Sequence, residues 1–431
     1  VYETLTKCRI CGNQALTEVV SLGTQSLTGK FPRATDEEIQ SIPLELVKCD
    51  QEKNASACGL LQLLYTGKLE DMYGEGYGYR SSLNPMMVKH LAEKVKKIEQ
   101  WAELEANDLV LDIGSNDATT LKQYSTPNLM LVGIDPSGRN FMDYYPEHIR
   151  LIPEFFSAQS ISGKYGAKKA RIITSFSMFY DLEDPMNFMM QVFDTLEDGG
   201  LWVFEQSYMP TMLNMNSYDT ICHEHLEYYG LHQIKWMTDR VGLKILDVEL
   251  NNVNGGSFSI IAQKPRRTSK CDDKLPASAA KLLKDEIDWK LHTMLPYRRF
   301  ASRCEQHRSE TIKFFEQAKR SDQIIYGYGA STKGNVLLQY CQISADQMPF
   351  IAEVNKDKFG AFTPGTNIPI IPEHQARENR PDFFFVLPWH FRQGIIQKER
   401  EFLNRGGKLV FPLPHLDVVD RTNARPDEAN P

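Results

Sequence analysis

Between residues 107 and 265 the chain alternates short, mainly apolar runs with amphipathic stretches. The runs at 109–113, 129–134, 171–175 and 200–205 have the character of strands buried on both faces of a parallel sheet, which read as apolar runs rather than alternations. Those at 244–250 and 257–263 read as an antiparallel addition. An amphipathic helix is expected at 86–105, ahead of the first strand. A second alternation begins at 323, with further strands expected at 350–354, 368–371, 383–387 and 408–411. Between the two units, 270–320 is rich in Lys, Glu, Ala and Leu and is interrupted at Pro296, which predicts two helices joining domains. The pattern is α/β and doubly wound, and it divides the chain into 1–70, 71–269, 270–320 and 321–431. The polar, proline-bearing 421–431 reads as a loose tail.

Length is compatible with this division, because 431 residues exceed the roughly 250–300 at which a single core stops growing. Hydrophobic residues make up 42% and charged residues 24% of the chain, ordinary for a soluble globular protein. No apolar run reaches the roughly 18–20 residues of a membrane helix, and the N-terminus lacks the layout of a signal peptide. A cytoplasmic protein with no membrane partner, and a monomer, is therefore expected. The formal charge of -7 argues against a nucleic-acid partner, and the basic run 264–267 is short enough to be a solvated linker.

Cysteine placement adds a feature that periodicity does not. Cys8, Cys11, Cys49 and Cys58 crowd into the first segment, and Cys8-x-x-Cys11-Gly12 is a zinc-knuckle pattern in which the glycine lets backbone N–H groups turn toward the thiolates. Eight residues separate Cys49 from Cys58, so 50–57 must loop out. A disulfide framework is the rival reading, and it fits a cytosolic chain less well. Four thiolates leave no open position, so zinc here is expected to be structural.

Two segments carry candidate chemistry in the middle unit. Asp112-Ile113-Gly114-Ser115-Asn116-Asp117 follows the first strand, and Asp135-Pro136 ends the next. A glycine at such a turn lets the backbone approach a ligand, helix N-terminal N–H groups are unpaired there, and an acid about twenty residues on can accept ribose hydroxyls. Asn116 stands at the second glycine of the dinucleotide fingerprint and hinders a pyrophosphate. S-adenosylmethionine has no pyrophosphate, and its sulfonium and ammonium suit Asp112 and Asp117. Asp112, Gly114, Asn116, Asp117, Asp135, Pro136 and Ser175 are the candidate cofactor residues. The second segment, 217–229, packs His223, Glu224, His225 and several phenols into thirteen residues. H-E-x-x-H spacing is absent, which disfavours a metal hydrolase, and nothing marks Cys222 as an activated thiol. In the last unit Gly327-x-Gly329 with Ser331-Thr332-Lys333-Gly334-Asn335 opens a helix toward a diphosphate, Glu353 ends the following strand, and His390 lies near a strand end.

Taken in order, the Cys8-x-x-Cys11-Gly start, the Cys58-Gly-Leu-Leu-Gln-Leu run, the Tyr77-Gly-Tyr79-Arg80-Ser segment, the Gly114-Ser-Asn-Asp turn, the Asp219-Thr-Ile-x-His223-Glu-His225 run and the Gly329-Ala-Ser-Thr-Lys-Gly-Asn335 segment resemble the S-adenosylmethionine-dependent C-methyltransferases of nucleotide-linked 4-keto deoxysugars, over nearly the whole chain. The resemblance implies a small N-terminal zinc-binding domain, a Rossmann-like methyltransferase domain, a helical connector and a C-terminal Rossmann-like domain that helps hold the nucleotide sugar. It implies methylation at C-3 of a nucleotide-linked 4-keto-6-deoxy sugar. His225 would act as base, with Glu224 or His223 orienting it, Tyr77 or Tyr79 donating to the keto oxygen, and Arg80, Asn84, Tyr328, Ser331, Lys333, Asn335, Glu353 and His390 holding the substrate. Two positions depart from the family pattern: Cys222 stands where a tyrosine is usual, and Tyr180-Asp181 where a histidine is usual. The rival classes are an NAD-dependent oxidoreductase and a non-catalytic zinc-containing binding module. The nucleotide, the C-3 substituent and the stereochemistry do not follow from the residues.

Overall fold

A computed structural model of the chain describes residues 2–68, 80–266 and 274–424. Its centre is a seven-stranded sheet. Four parallel strands follow the apolar runs: Leu109–Ile113, Met130–Ile134, Ala170–Phe176 and Leu196–Ser207. A fifth, Ile149–Ile152, pairs in parallel with Met130–Ile134 at the edge; it is too short and too mixed in character to stand out by pattern. Ser257–Gln263 runs antiparallel against Leu196–Ser207, and Lys244–Asn251 against Ser257–Gln263, the antiparallel addition that the sequence indicates. Helix Pro85–Trp101 covers the cofactor side of this sheet; Asn84 starts it by accepting the Met86 N–H at 3.0 Å, and proline is tolerated in the first turn.

The last unit is a six-stranded sheet centred on Ile325–Tyr328. Helices Ala277–Asp288 and Leu295–Arg320 connect the two units. Pro296 opens the second of these helices rather than interrupting one, because a first-turn N–H has no acceptor to lose.

The first segment folds as a sheet whose order belies the sequence boundaries. Leu16–Ser26, Ser41–Cys49 and Leu61–Leu63 form an antiparallel array, and its fourth strand is Glu227–Tyr228, borrowed from beyond the His-Glu-His run. Leu63 N–H donates to Leu226 O at 2.9 Å, extending the same edge. Apolar packing crosses the boundaries too: Cys8, Ile10, Cys58 and Leu60 share a core with the central sheet, while Leu44, Leu46 and Leu61 share one with Tyr218, Ile221 and the last sheet. Among the described residues, no helix is long and apolar enough to cross a membrane.

Candidate active site

At the carboxyl ends of Leu109–Ile113 and Met130–Ile134 lies a cavity of about 260 Å³, lined among others by Asp112, Gly114, Asn116, Asp135 and Pro136. Gly114 has φ +74°, and a Cβ there would press on Met178 at 3.2 Å, so a side chain would be strained and would narrow the cavity. Asp135 accepts the Asn116 N–H at 2.8 Å and the Ser137 N–H at 2.7 Å, which sets the two loops around the cavity. Asp112 is buried and accepts Thr174 Oγ1 at 2.6 Å. Burial first, and then the neighbouring Asp135 carboxylate, push Asp112 up to about 7. A cationic ammonium is the group that would relieve this arrangement, so the donor set fits S-adenosylmethionine. Phe155, Phe156 and Phe188 supply apolar wall for an adenine.

Two expected cofactor residues are placed elsewhere. Ser175 lies on the buried interior of its strand and accepts Trp202 Nε1 at 3.0 Å; Phe176, on the strand's opposite face, and Ser177, where the chain leaves the strand with φ +54°, line the cavity instead. Asp117 is turned inward, accepting Thr119 Oγ1 and the Ser82 N–H, and it holds the loop rather than the cavity wall.

The His-Glu-His run separates its residues by function. His225 Nδ1 donates to Thr220 O at 2.9 Å, which leaves Nε2 as the basic nitrogen. Its ring meets Tyr180 edge-on at 4.5 Å between centroids, and the residue after Tyr180, Asp181, lines the cavity beside Gly114. Burial, and then the Lys333 ammonium, lower His225 to about 4, so it is neutral at neutral pH. His223 points the other way: buried, it donates from Nε2 to Ile42 O at 3.1 Å and is a strut to the first segment rather than a partner of His225. Glu224 is pushed up by burial and packs so closely on Gly29 that a Cβ there would collide with Glu224 Oε1. Cys222 is buried and its thiol pKa is raised, chiefly by burial, so it is a neutral packing residue.

From the last unit, the charge of Lys333 is felt at both His225 and His390. Lys333 Nζ donates to Asn254 O at 3.0 Å. His390 Nδ1 is buried without a hydrogen-bond partner among the described residues, and burial followed by Lys333 lowers its pKa to about 3. Ser331 caps the helix Thr332–Tyr340 through the Gly334 N–H. The other expected substrate residues have different partners. Tyr328 donates to Glu399 at 2.9 Å inside the last unit. Asn335 donates to Thr28 O at 2.8 Å and ties that unit to the first segment. Glu353 accepts the N–H groups of Ala330, Val354 and Asn355, and Pro388 fills the space where a Cβ of Gly329 would lie. The dinucleotide-like cradle is thus closed by the protein's own groups. Arg80 stacks on Tyr144 at 4.5 Å, and Asn84 is the helix cap described above. Tyr77 and Tyr79 lie outside the described residues.

Asp219 and Trp389, which are not among the residues that the sequence marks as candidates, meet beside the histidine run. Trp389 Nε1 donates to Asp219 Oδ2 at 2.8 Å, 170 residues away. The signal in the sequence was an acid four residues ahead of His223.

At the front of the chain the Sγ atoms of Cys8, Cys11, Cys49 and Cys58 lie within 4.8 Å of one another, with Cys8–Cys58 and Cys11–Cys49 at 3.5 Å. A tetrahedral zinc with Zn–S bonds near 2.3 Å needs sulfurs about 3.8 Å apart, so the set fits. The Lys53 and Asn54 N–H groups both return to Asp50 O, which folds the long insertion into a turn and brings Cys58 back. Gly12 and Gly59 follow their cysteines with φ +70° and +81°.

Comparison with known proteins agrees with this arrangement. Residues 8–73 match a family model described as "Putative zinc binding domain", 87–248 a methyltransferase domain, and 252–414 a C-methyltransferase C-terminal domain. Over 419 residues, 96% of each chain, the sequence is 28% identical to the C-methyltransferase NovU of Streptomyces niveus. Among solved structures, an O-methyltransferase family protein from Burkholderia thailandensis aligns with 46% of this chain and 64% of its own at 14% identity and a TM-score of 0.35. The plantazolicin methyltransferase BpumL in complex with SAH aligns with 42% of this chain and 85% of its own at 13% identity and the same TM-score, 0.35. S-adenosylmethionine is the cofactor and zinc the structural metal. The chain thus carries, in order, segments that match a zinc-binding domain, a methyltransferase domain and a C-methyltransferase C-terminal domain, and along nearly its whole length it is similar to a C-methyltransferase.

Proposed function

We propose that the enzyme methylates C-3 of a nucleotide-linked 4-keto-6-deoxy sugar. The observation that carries this reading is the neutral His225 imidazole, its Nδ1–H fixed on Thr220 O and its ring against Tyr180, the neighbour of Asp181 in the cavity wall. Carbon methylation needs a carbanion, and a 4-keto group acidifies the adjacent C-3 proton. His225 Nε2 takes that proton and the electron pair moves onto the keto oxygen as an enolate, whose C-3 carbon would accept the methyl group from S-adenosylmethionine, with S-adenosylhomocysteine as the leaving group. The bound cofactor supplies that electrophilic sulfonium methyl.

The chain's residues favour this course in three ways. Thr220 O fixes the tautomer and the direction of Nε2. Lys333 carries three donors, of which one engages Asn254 O, and its charge is felt at His225 and Asp219; the same charge favours an enolate oxygen. Residues from the last unit, Lys333, Ser331 and His390, are proposed to hold the nucleotide sugar. Because Cys222 is a neutral thiol, electrostatic support for the enolate is assigned to Lys333 rather than to residue 222. A thymidine-diphosphate-linked 4-keto-6-deoxyglucose incubated in D2O with enzyme and no cofactor should exchange its C-3 hydrogen, and His225→Ala should not. Equal exchange in both would remove His225 from the base role; no exchange in either would remove this substrate class.

A further inference from the structure

We propose that the Arg9–Glu227 ion pair is a latch through which the zinc knuckle positions the loop carrying His225. Arg9 stands between the knuckle cysteines Cys8 and Cys11, so the metal cross-link that fixes those thiolates also fixes the Arg9 backbone. Its guanidinium spans two edges. Nη1 donates to Leu63 O at 2.8 Å and Nη2 to Thr66 Oγ1 at 2.6 Å, while the Arg9 backbone N–H donates to Gln62 Oε1 at 3.1 Å. The remaining edge, Nε, faces Glu227 Oε1 at 3.5 Å.

Glu227 lies two residues beyond His225 and directly opposite Gln62 in the borrowed strand. It is only 1% exposed, and among the described residues neither carboxylate oxygen has a hydrogen-bond partner. A carboxyl group in such a place contributes little to net stability compared with an apolar residue, but it specifies register. Slipping a strand by one residue turns every side chain to the opposite face. A slip at Glu227–Tyr228 would leave the Arg9 guanidinium without its buried counter-ion, and it would drag His225 with it. The loop is held from the same domain on its other flank, where His223 donates to Ile42 O at 3.1 Å. Arg9 and Glu227 are therefore positioning residues: they act on the reaction through the placement of His225.

The role of His225 as base rests on the reading above; the latch does not. The test uses the full-length, zinc-loaded protein and the variants Arg9→Met, Arg9→Lys and the double variant Arg9→Met/Glu227→Leu. The histidine tautomer is read by long-range 1H–15N NMR of 15N-histidine protein, with His225 assigned through His225→Gln. Arg9→Met is expected to keep wild-type zinc content and SAH affinity within about twofold, yet to lose the single Nδ1–H tautomer of His225. Its kcat on thymidine-diphosphate-linked 4-keto-6-deoxyglucose should fall by about 10- to 100-fold, the scale of a displacement near 1 Å, with KM less affected. Arg9→Lys should recover part of both. The double variant, free of the unpaired charge, should melt near wild type while its His225 tautomer stays mixed, which separates register from stability. A zinc-loaded Arg9→Met, or a stable double variant, with the wild-type His225 tautomer would overturn the latch. A lost tautomer with unchanged kcat would uphold the latch and remove His225 as the base.

Discussion

Trp389 donates its indole N–H to Asp219 Oδ2 at 2.8 Å, joining the last unit to the loop that leads into the histidines. Asp219 is buried and pushed up by that burial, with Lys333 and then the indole opposing the shift. Trp389→Phe keeps most of the apolar volume and deletes this bond. A hydrogen bond to a charged group contributes about 1.5–3 kcal/mol, so the melting temperature should drop and kcat should fall as the loop loosens. Asp219→Asn retains an acceptor for the indole and should be milder in melting; equal losses in both variants would mean that the bond itself is not what holds the loop.

The neutral state of His225 sets a pH dependence. Its pKa in the folded protein, about 4, lies below the ordinary value near 6.5. The base form therefore persists as pH falls through 6.5, and the acid limb of kcat/KM should appear near pH 4 to 5 instead. Lys333→Met removes a repulsion and should move that limb upward. The linked stability has the same sign: the unfolded chain binds the proton more readily, so this residue's contribution fades between pH 6.5 and 4. An acid limb at 6.5 in the wild type would contradict the buried, neutral imidazole.

Asp112 titrates in the opposite sense. Raised to about 7 in the free protein, it is mostly protonated at pH 6.5, and a ligand ammonium selects its carboxylate. Binding of SAH should therefore release a proton at pH 6.5 and tighten as pH rises through 7. Calorimetry in buffers of differing ionisation enthalpy measures that release directly. Asp112→Asn should abolish it and weaken binding by roughly tenfold or more, the scale of a charge-assisted hydrogen bond.

Removing zinc should reach beyond the knuckle. Cys8 and Cys58 belong to the same apolar cluster as the central sheet, and Gln233 Nε2 donates to Cys58 O at 3.1 Å. Cys8→Ser is expected to release zinc and lower soluble yield and melting temperature, as is typical when a structural metal is lost. A zinc-free variant with wild-type yield and heat resistance would contradict a structural role.

Much of this protein is written in local order. Buried strands of a parallel sheet must be apolar, so 109–113 and 129–134 declared themselves. Cysteine spacing declared the cysteine cluster, and the Gly114 turn with Asp112 and Asp135 marked residues that line one cavity. These features depend on residues near one another in the chain, or on thiolate chemistry that few other patterns imitate. Side-chain direction was not legible in the same way. Ser177 rather than Ser175 lines the cleft because the chain leaves the strand after Phe176 and turns at Ser177 with φ +54°, and only the folded structure fixes that turn. Tyr328, Asn335 and Glu353 looked like ligand groups because their acceptors, Glu399, Thr28 O and the loop N–H groups, come from elsewhere in the fold. The borrowed strand Glu227–Tyr228 could not be foreseen either, since two residues carry too little pattern to name a partner more than 160 positions away. Tertiary packing decided it, because an unpaired sheet edge and a buried carboxylate each require a partner, and only the folded chain brings Gln62 and Arg9 within reach.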